Sequence, residues 1–262
     1  HVRSIPAALH GKRRYTLCLI NSMETITMSK RPKNQLRPTT IEPFPSAAAG
    51  SVQIAMGGTR VLCTASIASE PPRWIKRDEN GDPVHGWVTA EYAMLPGSTP
   101  DRKRRGPDGR STEIQRLIAR VLRAAVDLDK MPGLMITCDC DVLQADGGTR
   151  TAAITGAYVA LAQAIAVARG DGRLKTNPII GPVAAVSVGI IDGQAYLDLD
   201  YELDVRAEVD MNVAMDGKGN FIEVQGTGEK GVFSRAELDT LLDFAGKGIR
   251  KLMKIQKAAL RG

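Results

Sequence analysis

CDCDVLQADGGTRTA, residues 138–152, joins a segment of alternating apolar residues to a long alanine-rich segment. The alternation begins at Leu134 and predicts a strand over Leu134–Val142, because successive side chains of a strand point to opposite faces. The segment from Thr151 to about Arg169 predicts a helix, which ends at the glycines of residues 170–172. The stretch therefore predicts a strand, a tight turn and a helix in direct succession.

The turn between this strand and this helix carries a candidate phosphate site. Gly147 and Gly148 let backbone N–H groups approach an anion closely, and a helix N-terminus adds unpaired donors and partial positive charge. Arg150 follows in the same turn, and its guanidinium can hold a phosphate through two hydrogen bonds. The spacing matches neither the Walker P-loop nor the dinucleotide-binding fingerprint. On spacing alone, a tight turn without a ligand is the favoured interpretation.

A second helix entrance presents a second arginine. Apolar residues recur from Ile114 to Ala125 at helical spacing, and Thr112 with Gln115 has the spacing of a capping box. Arg110 precedes this helix and follows a glycine. Two arginines at two helix entrances can converge on one anion if the helices lie side by side. This pairing tips the interpretation of the glycine turn towards an inorganic phosphate site.

Acidic residues alternate with apolar residues over Ala195–Leu203, which predicts a strand with one solvated face. Asp204 follows that run, and Asp210 comes six residues later at the start of the next predicted strand. The two flank a short bend, so their carboxylates could meet across a hairpin. Such a pair can hold Mg²⁺ with water between, or act as a general acid and its neighbour. A merely solvated strand face is the alternative for the earlier acidic residues of the run.

Two groups of basic residues admit more than one interpretation. The segment Pro96–Arg110 has no hydrophobic pattern and is either a solvated loop or a flexible arm that contacts a polyanion backbone. Arg116, Arg120 and Arg123 lie opposite the apolar face of the predicted helix without acidic partners at helical spacing. A solvated helix face is the favoured interpretation there, and a row facing phosphate or a partner subunit is the alternative.

Further periodic segments predict a second set of strands and a closing helix. Strands followed by a helix occur twice along the chain, which predicts an α+β fold of two halves, each a sheet backed by helices. The predicted strands are a hairpin over Ser51–Ala65 and single strands at Trp87–Leu95, Val183–Ile191, Ala195–Leu203, Glu208–Met215 and Phe221–Val224, and the closing helix follows Ser234.

Charge and composition exclude several classes of protein. The 262 residues are enough for one large domain or two small ones, and 24% charged residues exclude wholesale disorder. The net charge of +6 resides in residues 1–37, which hold eight basic residues and one acidic residue. We expect no membrane span, because no apolar run approaches about 18 residues. Residues 1–27 are predicted to be a disordered or non-native extension, with the native start at Met28.

Cysteine and histidine usage indicates the compartment and the chemistry. The four cysteines form no CxxC pair, so buried reduced thiols in a reducing cytoplasm are expected rather than a zinc site. The three histidines are His1, His10 and His85, and no Ser/His or Cys/His pair stands out. Phosphoryl transfer fits this composition better than covalent acyl chemistry, because it needs positioning and charge neutralisation more than a nucleophilic side chain.

Five separate segments together carry a family resemblance: TAEYAMLP at 89–96, GRSTEIQRLI at 109–118, CDCDVLQADGGTRTA at 138–152, AEVDMNV at 207–213 and EVQGT at 223–227. They resemble the ribonuclease PH family of phosphorolytic 3′-to-5′ exoribonucleases. Their order and length make the resemblance specific, and it extends from about Leu36 to the C-terminus. The resemblance implies the ribosomal protein S5 domain 2-like fold, with two mixed sheets backed by helices and halves at 28–172 and 173–262.

The same resemblance implies an activity and its partners. Enzymes of this family are nucleotidyltransferases that trim 3′ ends of tRNA precursors with inorganic phosphate, release nucleoside diphosphates, and can run in reverse. The expected assembly is a homohexamer built as a trimer of dimers, in the cytoplasm. The implied site residues are Arg110, Gly148, Thr149 and Arg150 for phosphate, Asp204 and Asp210 for catalysis and Mg²⁺, and Arg102 and Arg105 for RNA.

The sequence departs from the family pattern at two places, and two rival functions remain. Gly97 stands where the family usually has arginine in a longer loop, and the D-G-R usual upstream of Leu36 is missing. An inactive subunit of an exosome-like ring is disfavoured because the arginine and aspartate pairs are all present. A small-molecule kinase is disfavoured by the missing triphosphate loop. Polynucleotide phosphorylase is excluded because Gly147–Arg150 occurs once.

Overall fold

In a computed structural model of the chain, residues 31–106 and 108–261 are described. The predicted extension at residues 1–27 and the predicted start at Met28 lie outside these residues, as does Cys18. The described chain contains two sheets, whose buried side chains share one hydrophobic core with the helices.

The first sheet is mixed and has five strands in the order β1-β2-β3-β5-β4. Only the β4–β5 pair is parallel; the other pairs are antiparallel. The predicted hairpin is confirmed, because β2 and β3 are joined by a two-glycine turn with Met56 opposite Thr59. The strands are β1 (Thr39–Pro43), β2 (Gly50–Met56), β3 (Thr59–Ala68), β4 (Trp87–Met94) and β5 (Met135–Gln144).

The second sheet has four strands in the order β7-β6-β8-β9. It is antiparallel throughout, unlike the mixed sheet that the resemblance implied. The strands are β6 (Val183–Ile191), β7 (Gln194–Leu197), β8 (Val209–Asp216) and β9 (Phe221–Gly228).

The strand predicted over Ala195–Leu203 is wrong in its second half. Strand β7 stops at Leu197, and a short helix, α3 (Tyr201–Arg206), follows. Asp198 takes a left-handed backbone conformation with φ of 60°, which interrupts the strand. Asp200 then caps α3, because its side chain accepts a hydrogen bond of 3.0 Å from the amide of Leu203. The alternating carboxylates therefore belong to a turn and a helix rather than to one strand face.

The three long helices are α1 (Gly109–Arg123), α2 (Thr149–Gly170) and α4 (Arg235–Ala259), and a 3₁₀ turn lies at Leu128–Lys130. The capping box predicted at Thr112 and Gln115 is wrong. Asp108 caps α1 instead, accepting from the amide of Ser111, so α1 begins four residues earlier than predicted. The closing helix predicted after Ser234 is confirmed as α4, which Ser234 caps in a full capping box with Glu237.

Helix α2 is the core of the molecule and packs against both sheets. Its 22 residues are long and apolar enough to cross a membrane by length and hydropathy, contrary to the expectation that no run of the chain would be. However, 83% of its most apolar window is buried within the fold. The apolar surface of α2 is therefore used for packing against the two sheets.

The described cysteines behave as predicted from their spacing. Cys138 and Cys140 lie on the same face of β5 and are buried, and Cys63 is buried opposite Cys140 on β3. All three thiols are free. They contribute to the packing under α2 as small apolar side chains.

Candidate active site

A cavity of about 1300 Å³ lies where the first turns of α1 and α2 meet α3 and the start of β8. The cavity is lined by both arginines from the two helix entrances and by both predicted carboxylates. Arg102 is the one predicted site residue outside the lining, whereas Lys103 and Arg104, which were not singled out, belong to it. The predicted site residues that line the cavity are Arg105, Arg110, Gly148, Thr149, Arg150, Asp204 and Asp210.

The turn between β5 and α2 depends on two glycines in the left-handed backbone region. Gly147 has φ of 70°, and a Cβ atom there would lie 2.6 Å from the carbonyl oxygen of Leu199. Gly148 has φ of 64° and occupies the N-cap of α2 without any side-chain acceptor. The first N–H groups of α2 are therefore not capped by the residue that precedes them. Together with the helix dipole, this arrangement suits a bound anion.

Arg110 and Arg150 line the same cavity, as the two helix entrances predicted. Burial raises the pKa of Asp204 and of Asp210, and the positive charge of each arginine partly opposes that rise. Arg150 is oriented by the second half of the chain, because its Nη1 donates to Oε1 of Gln225 at 2.9 Å. The same nitrogen lies 3.7 Å from a carboxylate oxygen of Glu113 on α1. Both arginines therefore line one cavity, although they enter it from different helices.

The two carboxylates are half-buried and repel each other. Burial, and then the neighbouring charge of Asp204, raises the pKa of Asp210 to about 6. Burial is also the largest cause that raises the pKa of Asp204, and Glu229 adds to it. Oδ1 of Asp210 is buried and has no hydrogen-bond partner among the described residues. An unpaired buried carboxylate oxygen suits either a proton or a cation, so the pair fits a Mg²⁺ ion.

Arg37 connects the glycine turn to the segment that precedes α3, and sequence reasoning missed it. Its Nη1 donates to the carbonyl oxygen of Asp146 at 2.5 Å, and its Nη2 lies 2.7 Å from Oδ1 of Asp198. The backbone amide of Arg37 donates to the other carboxylate oxygen of Asp198 at 2.8 Å. Arg37 is 6% exposed and Asp198 is fully buried. We call the turn at Gly147 and Gly148 the phosphate turn, after the ligand that the sequence predicts for it. The ion pair braces this turn against the segment that leads to Asp204.

Tyr92 supports the phosphate turn from the first sheet. Its hydroxyl lies 2.8 Å from Oγ1 of Thr149, and both side chains are buried. Burial raises the pKa of Tyr92, so its hydroxyl stays protonated and can donate. Tyr92 and Gln225 lie within two of the family-like segments, and Arg37 lies at the start of the resemblance; no other sequence signal pointed to them.

The row of arginines on α1 is partnered by tertiary contacts. Nη1 of Arg120 lies 2.6 Å from Oε2 of Glu223 on β9. The guanidinium of Arg123 lies over the ring of Trp87, 4.5 Å from its centroid. Two of the three arginines therefore have structural partners within the chain, and neither a phosphate nor a subunit contact is needed to explain them.

Family models match both halves of the chain. Residues 35–166 match the model of the 3′ exoribonuclease family, domain 1, and residues 181–248 match that of domain 2. The chain belongs to the 3′ exoribonuclease family. The resemblance noted in the sequence is confirmed, and so is the α+β fold.

Two bacterial relatives match this chain over most of their own length. The protein named ribonuclease PH from Corynebacterium efficiens is 56% identical over 236 residues, which is 88% of this chain and 94% of the relative. The ribonuclease PH of Corynebacterium diphtheriae is also 56% identical, over 88% of this chain and 95% of its own length. Membership of this family argues against the small-molecule kinase considered from the sequence.

Solved structures share the fold at low sequence identity. The Archaeoglobus fulgidus exosome with RNA bound to the active site matches with a TM-score of 0.74 and 23% identity, over 86% of this chain and 90% of that one. Rice (Oryza sativa) Rrp46 matches with a TM-score of 0.71 and 18% identity, over 88% of this chain and 98% of that one. At these identities the likeness concerns the fold alone.

Proposed function

We propose that this chain is a phosphorolytic 3′-to-5′ exoribonuclease that trims the 3′ ends of tRNA precursors with inorganic phosphate. The observation that carries this proposal is that Arg110 and Arg150, from separate helix entrances, line one cavity with Asp204 and Asp210. Relatives at 56% identity named ribonuclease PH support the same activity.

The phosphate is bound between the two arginines and the first turn of α2. Arg110 and Arg150 neutralise its charge, while the N–H groups at Gly148 and Thr149 fix its orientation. A phosphate oxygen attacks the phosphorus of the last phosphodiester, and the bond from that phosphorus to the 3′ oxygen of the preceding nucleotide breaks. The product is a nucleoside diphosphate. Because one phosphate bond replaces a similar one, the reaction runs backwards as nucleotidyl addition.

The departing 3′ oxygen needs a proton or a positive charge. With a pKa of about 6, Asp210 is partly protonated near neutral pH, as a general acid should be. Asp204 holds the pKa of Asp210 up by charge repulsion. The same two carboxylates would hold Mg²⁺, which when bound supplies positive charge to the reacting phosphates.

The RNA strand approaches across the basic segment before α1. We assign Arg102 and Arg105 to contacts with the RNA backbone. The position of Arg105 in the cavity lining supports this, as do the neighbouring Lys103 and Arg104. Gly97, where the family usually has arginine, removes one cation from this approach. Lys103 and Arg104 supply positive charge in the same segment.

We infer that the protein assembles as a homohexamer, built as a trimer of dimers. The two halves of each chain meet between residues 172 and 173. The fold shared with exosome subunits supports a ring. We place the protein in the cytoplasm, in keeping with three free buried thiols. Mass measurement in solution tests the hexamer.

The decisive experiment compares RNA degradation with and without inorganic phosphate and identifies the products by chromatography. We expect nucleoside diphosphates that appear only with phosphate. The Arg150→Ala variant should lose this activity and keep its fold. The control is Arg173→Ala, which removes an exposed ion pair with Asp171 just after the end of α2 and should keep both activity and fold. Nucleoside monophosphates released in phosphate-free buffer would contradict the proposal, and absence of any product would favour an inactive ring subunit.

A further inference from the structure

The exposed surface of the second half of α4 is almost entirely basic. Between residues 247 and 261, every exposed residue except Ala258 and Leu260 is a lysine or an arginine. We call this surface the α4 basic stripe; its members are Lys247, Arg250, Lys251, Lys254, Lys257 and Arg261. At 100° per residue, the five members within the helix fall on one side of it.

The stripe concentrates positive charge that the rest of the body lacks. Residues 38–243 hold 21 basic and 28 acidic residues, whereas residues 244–262 hold six basic residues and no acidic ones. Within the described part of the chain, no member of the stripe forms an ion pair. In the first turn of the same helix, by contrast, Nε of Arg235 lies 2.9 Å from Oδ1 of Asp239.

The orientation of the stripe is set by the opposite face of α4. Leu241, Ala245, Ile249 and Leu252 are buried in the core. The side chain of Gln256 is buried and donates to two backbone carbonyl oxygens at 2.9 Å each, one on α2 and one on β6. Rotation of the helix would expose apolar side chains and break these bonds, so the cations are held outward.

The same buried contact relates the stripe to the candidate active site. Gln256 donates to the carbonyl oxygen of Thr155, which is six residues along α2 from Thr149 of the phosphate turn. Six residues of helix correspond to about 9 Å. The stripe lies on the exposed side of α4, opposite Gln256, so an RNA whose 3′ end enters the cavity reaches the stripe only with the segments that extend beyond α2.

The geometry of an isolated helix does not account for the stripe. Cations in the last turn are favoured by the helix dipole, which explains Lys257. Lys247, Arg250 and Lys251 lie more than two turns from the end of α4 at Ala259. Like charges three and four residues apart repel each other, so these side chains lower the stability of the helix unless a polyanion covers them.

We propose that the α4 basic stripe binds the phosphate backbone of the folded part of the RNA whose 3′ end lies in the active site. From Lys247 to Lys257 the helix rises about 15 Å. That length can contact several successive phosphates of one strand of a nucleic acid. Recognition of backbone rather than bases is how double-stranded RNA is usually bound. The choice of RNA as the polyanion rests on the proposed function.

The test measures RNA binding without phosphate, so it does not depend on turnover. The stripe variant is Lys251→Gln, Lys254→Gln and Lys257→Gln together. Its matched control is Lys130→Gln, Lys175→Gln and Lys218→Gln, which removes the same charge from exposed lysines on other elements. Fluorescence anisotropy follows two labelled probes, a stem-loop RNA with a single-stranded 3′ tail and the tail alone, over a range of salt concentrations.

For the stripe variant, we expect affinity for the stem-loop probe to fall roughly ten- to hundredfold at low salt. The slope of log affinity against log salt should fall by about two, because each phosphate contact contributes roughly 0.7 to 0.9. Affinity for the tail alone and half-saturation by phosphate in the phosphorolysis assay should stay as in the parent. The control should match the parent with both probes.

Three results would overturn the inference. If the stripe variant and the control bind the stem-loop with equal affinity, the stripe does not bind RNA and is only a solvated helix face. An equal loss for the stem-loop and the tail would indicate a general effect of net charge. A change in the mass of the assembly would make the face a subunit interface. If phosphorolysis fails while stem-loop binding changes as expected, the proposed activity fails and the binding surface stands.

Discussion

Nη2 of Arg37 lies 2.7 Å from Oδ1 of Asp198, across 161 residues of sequence, in a fully buried pair. The pair joins a residue two positions before β1 to the segment before α3, and Nη1 of Arg37 donates to the carbonyl oxygen of Asp146 at the phosphate turn. One guanidinium therefore holds both the phosphate turn and the segment that leads to Asp204. A buried charge left without its partner is costly, which makes this pair a sensitive point of the structure.

We expect Arg37→Met and Asp198→Asn each to lower the free energy of unfolding by about 3–5 kcal/mol, because each removes the buried ion pair between the two side chains. The double variant should lose much less than the two single losses added together. Urea unfolding of all four proteins measures this. Additive losses would show that the two side chains act independently. The ion pair between Arg37 and Asp198 would then not hold the phosphate turn in place.

Arg150→Lys tests the two-point grip on phosphate. Lysine keeps the charge but cannot form the planar pair of hydrogen bonds, so the phosphate concentration for half-maximal activity should rise roughly ten- to hundredfold. The maximal rate on RNA should fall less. Steady-state phosphorolysis over a range of phosphate concentrations gives both values. Arg173→Lys, in an exposed pair with Asp171, serves as the control and should leave both unchanged.

Asp210→Asn separates stability from activity. The raised pKa of Asp210 means that ionisation disfavours the folded state, so the protein loses stability as pH rises from the ordinary aspartate pKa of about 4 to the raised pKa of about 6. Asparagine never ionises, and we expect the variant to be more stable than the parent by roughly 1–3 kcal/mol at pH 7. At pH 4 that gain should vanish, since the carboxyl is then neutral. The variant should be inactive.

Thermal unfolding between pH 4 and pH 8 measures this dependence. The equivalent change at Asp243, an exposed carboxylate on α4, is the control and should show no such gain at pH 7. If the parent and Asp210→Asn keep the same difference in stability at both ends of the range, the buried environment assigned to Asp210 is wrong.

Gly147→Ala tests the close approach in the phosphate turn. Gly147 and Gly133 have similar backbone angles, with φ of 70° and 74°. A Cβ at Gly133 meets nothing within 4 Å, whereas at Gly147 it would lie 2.6 Å from the carbonyl oxygen of Leu199. Gly133→Ala should therefore cost about 1–2 kcal/mol of backbone strain and keep activity. Gly147→Ala should cost more and abolish phosphate-dependent activity.

Chemical denaturation and the phosphorolysis assay, run on both variants, compare these effects. Equal loss of stability with retained activity in both would mean that the turn tolerates a side chain. The close packing of the turn against the segment before α3 would then have no role in holding phosphate.

Local sequence determined the elements with strong periodicity and the chemistry at their ends. The strand–turn–helix unit around Gly148, the entrance of α1 at Arg110 and the hairpin of β2 and β3 could all be predicted, because they depend on residues close in sequence. The residues that converge on the cavity could be named for the same reason, with the family-like segments as support.

Tertiary structure decided the rest, because contacts between distant residues depend on packing. Alternating carboxylates after β7 looked like a strand, yet the buried ion pair of Asp198 with Arg37 turns the chain into α3. The pKa of Asp210 depends on its burial and on Asp204, a neighbour supplied by α3. Periodicity records which face of an element is apolar, and only the assembled core decides which distant side chain completes a site.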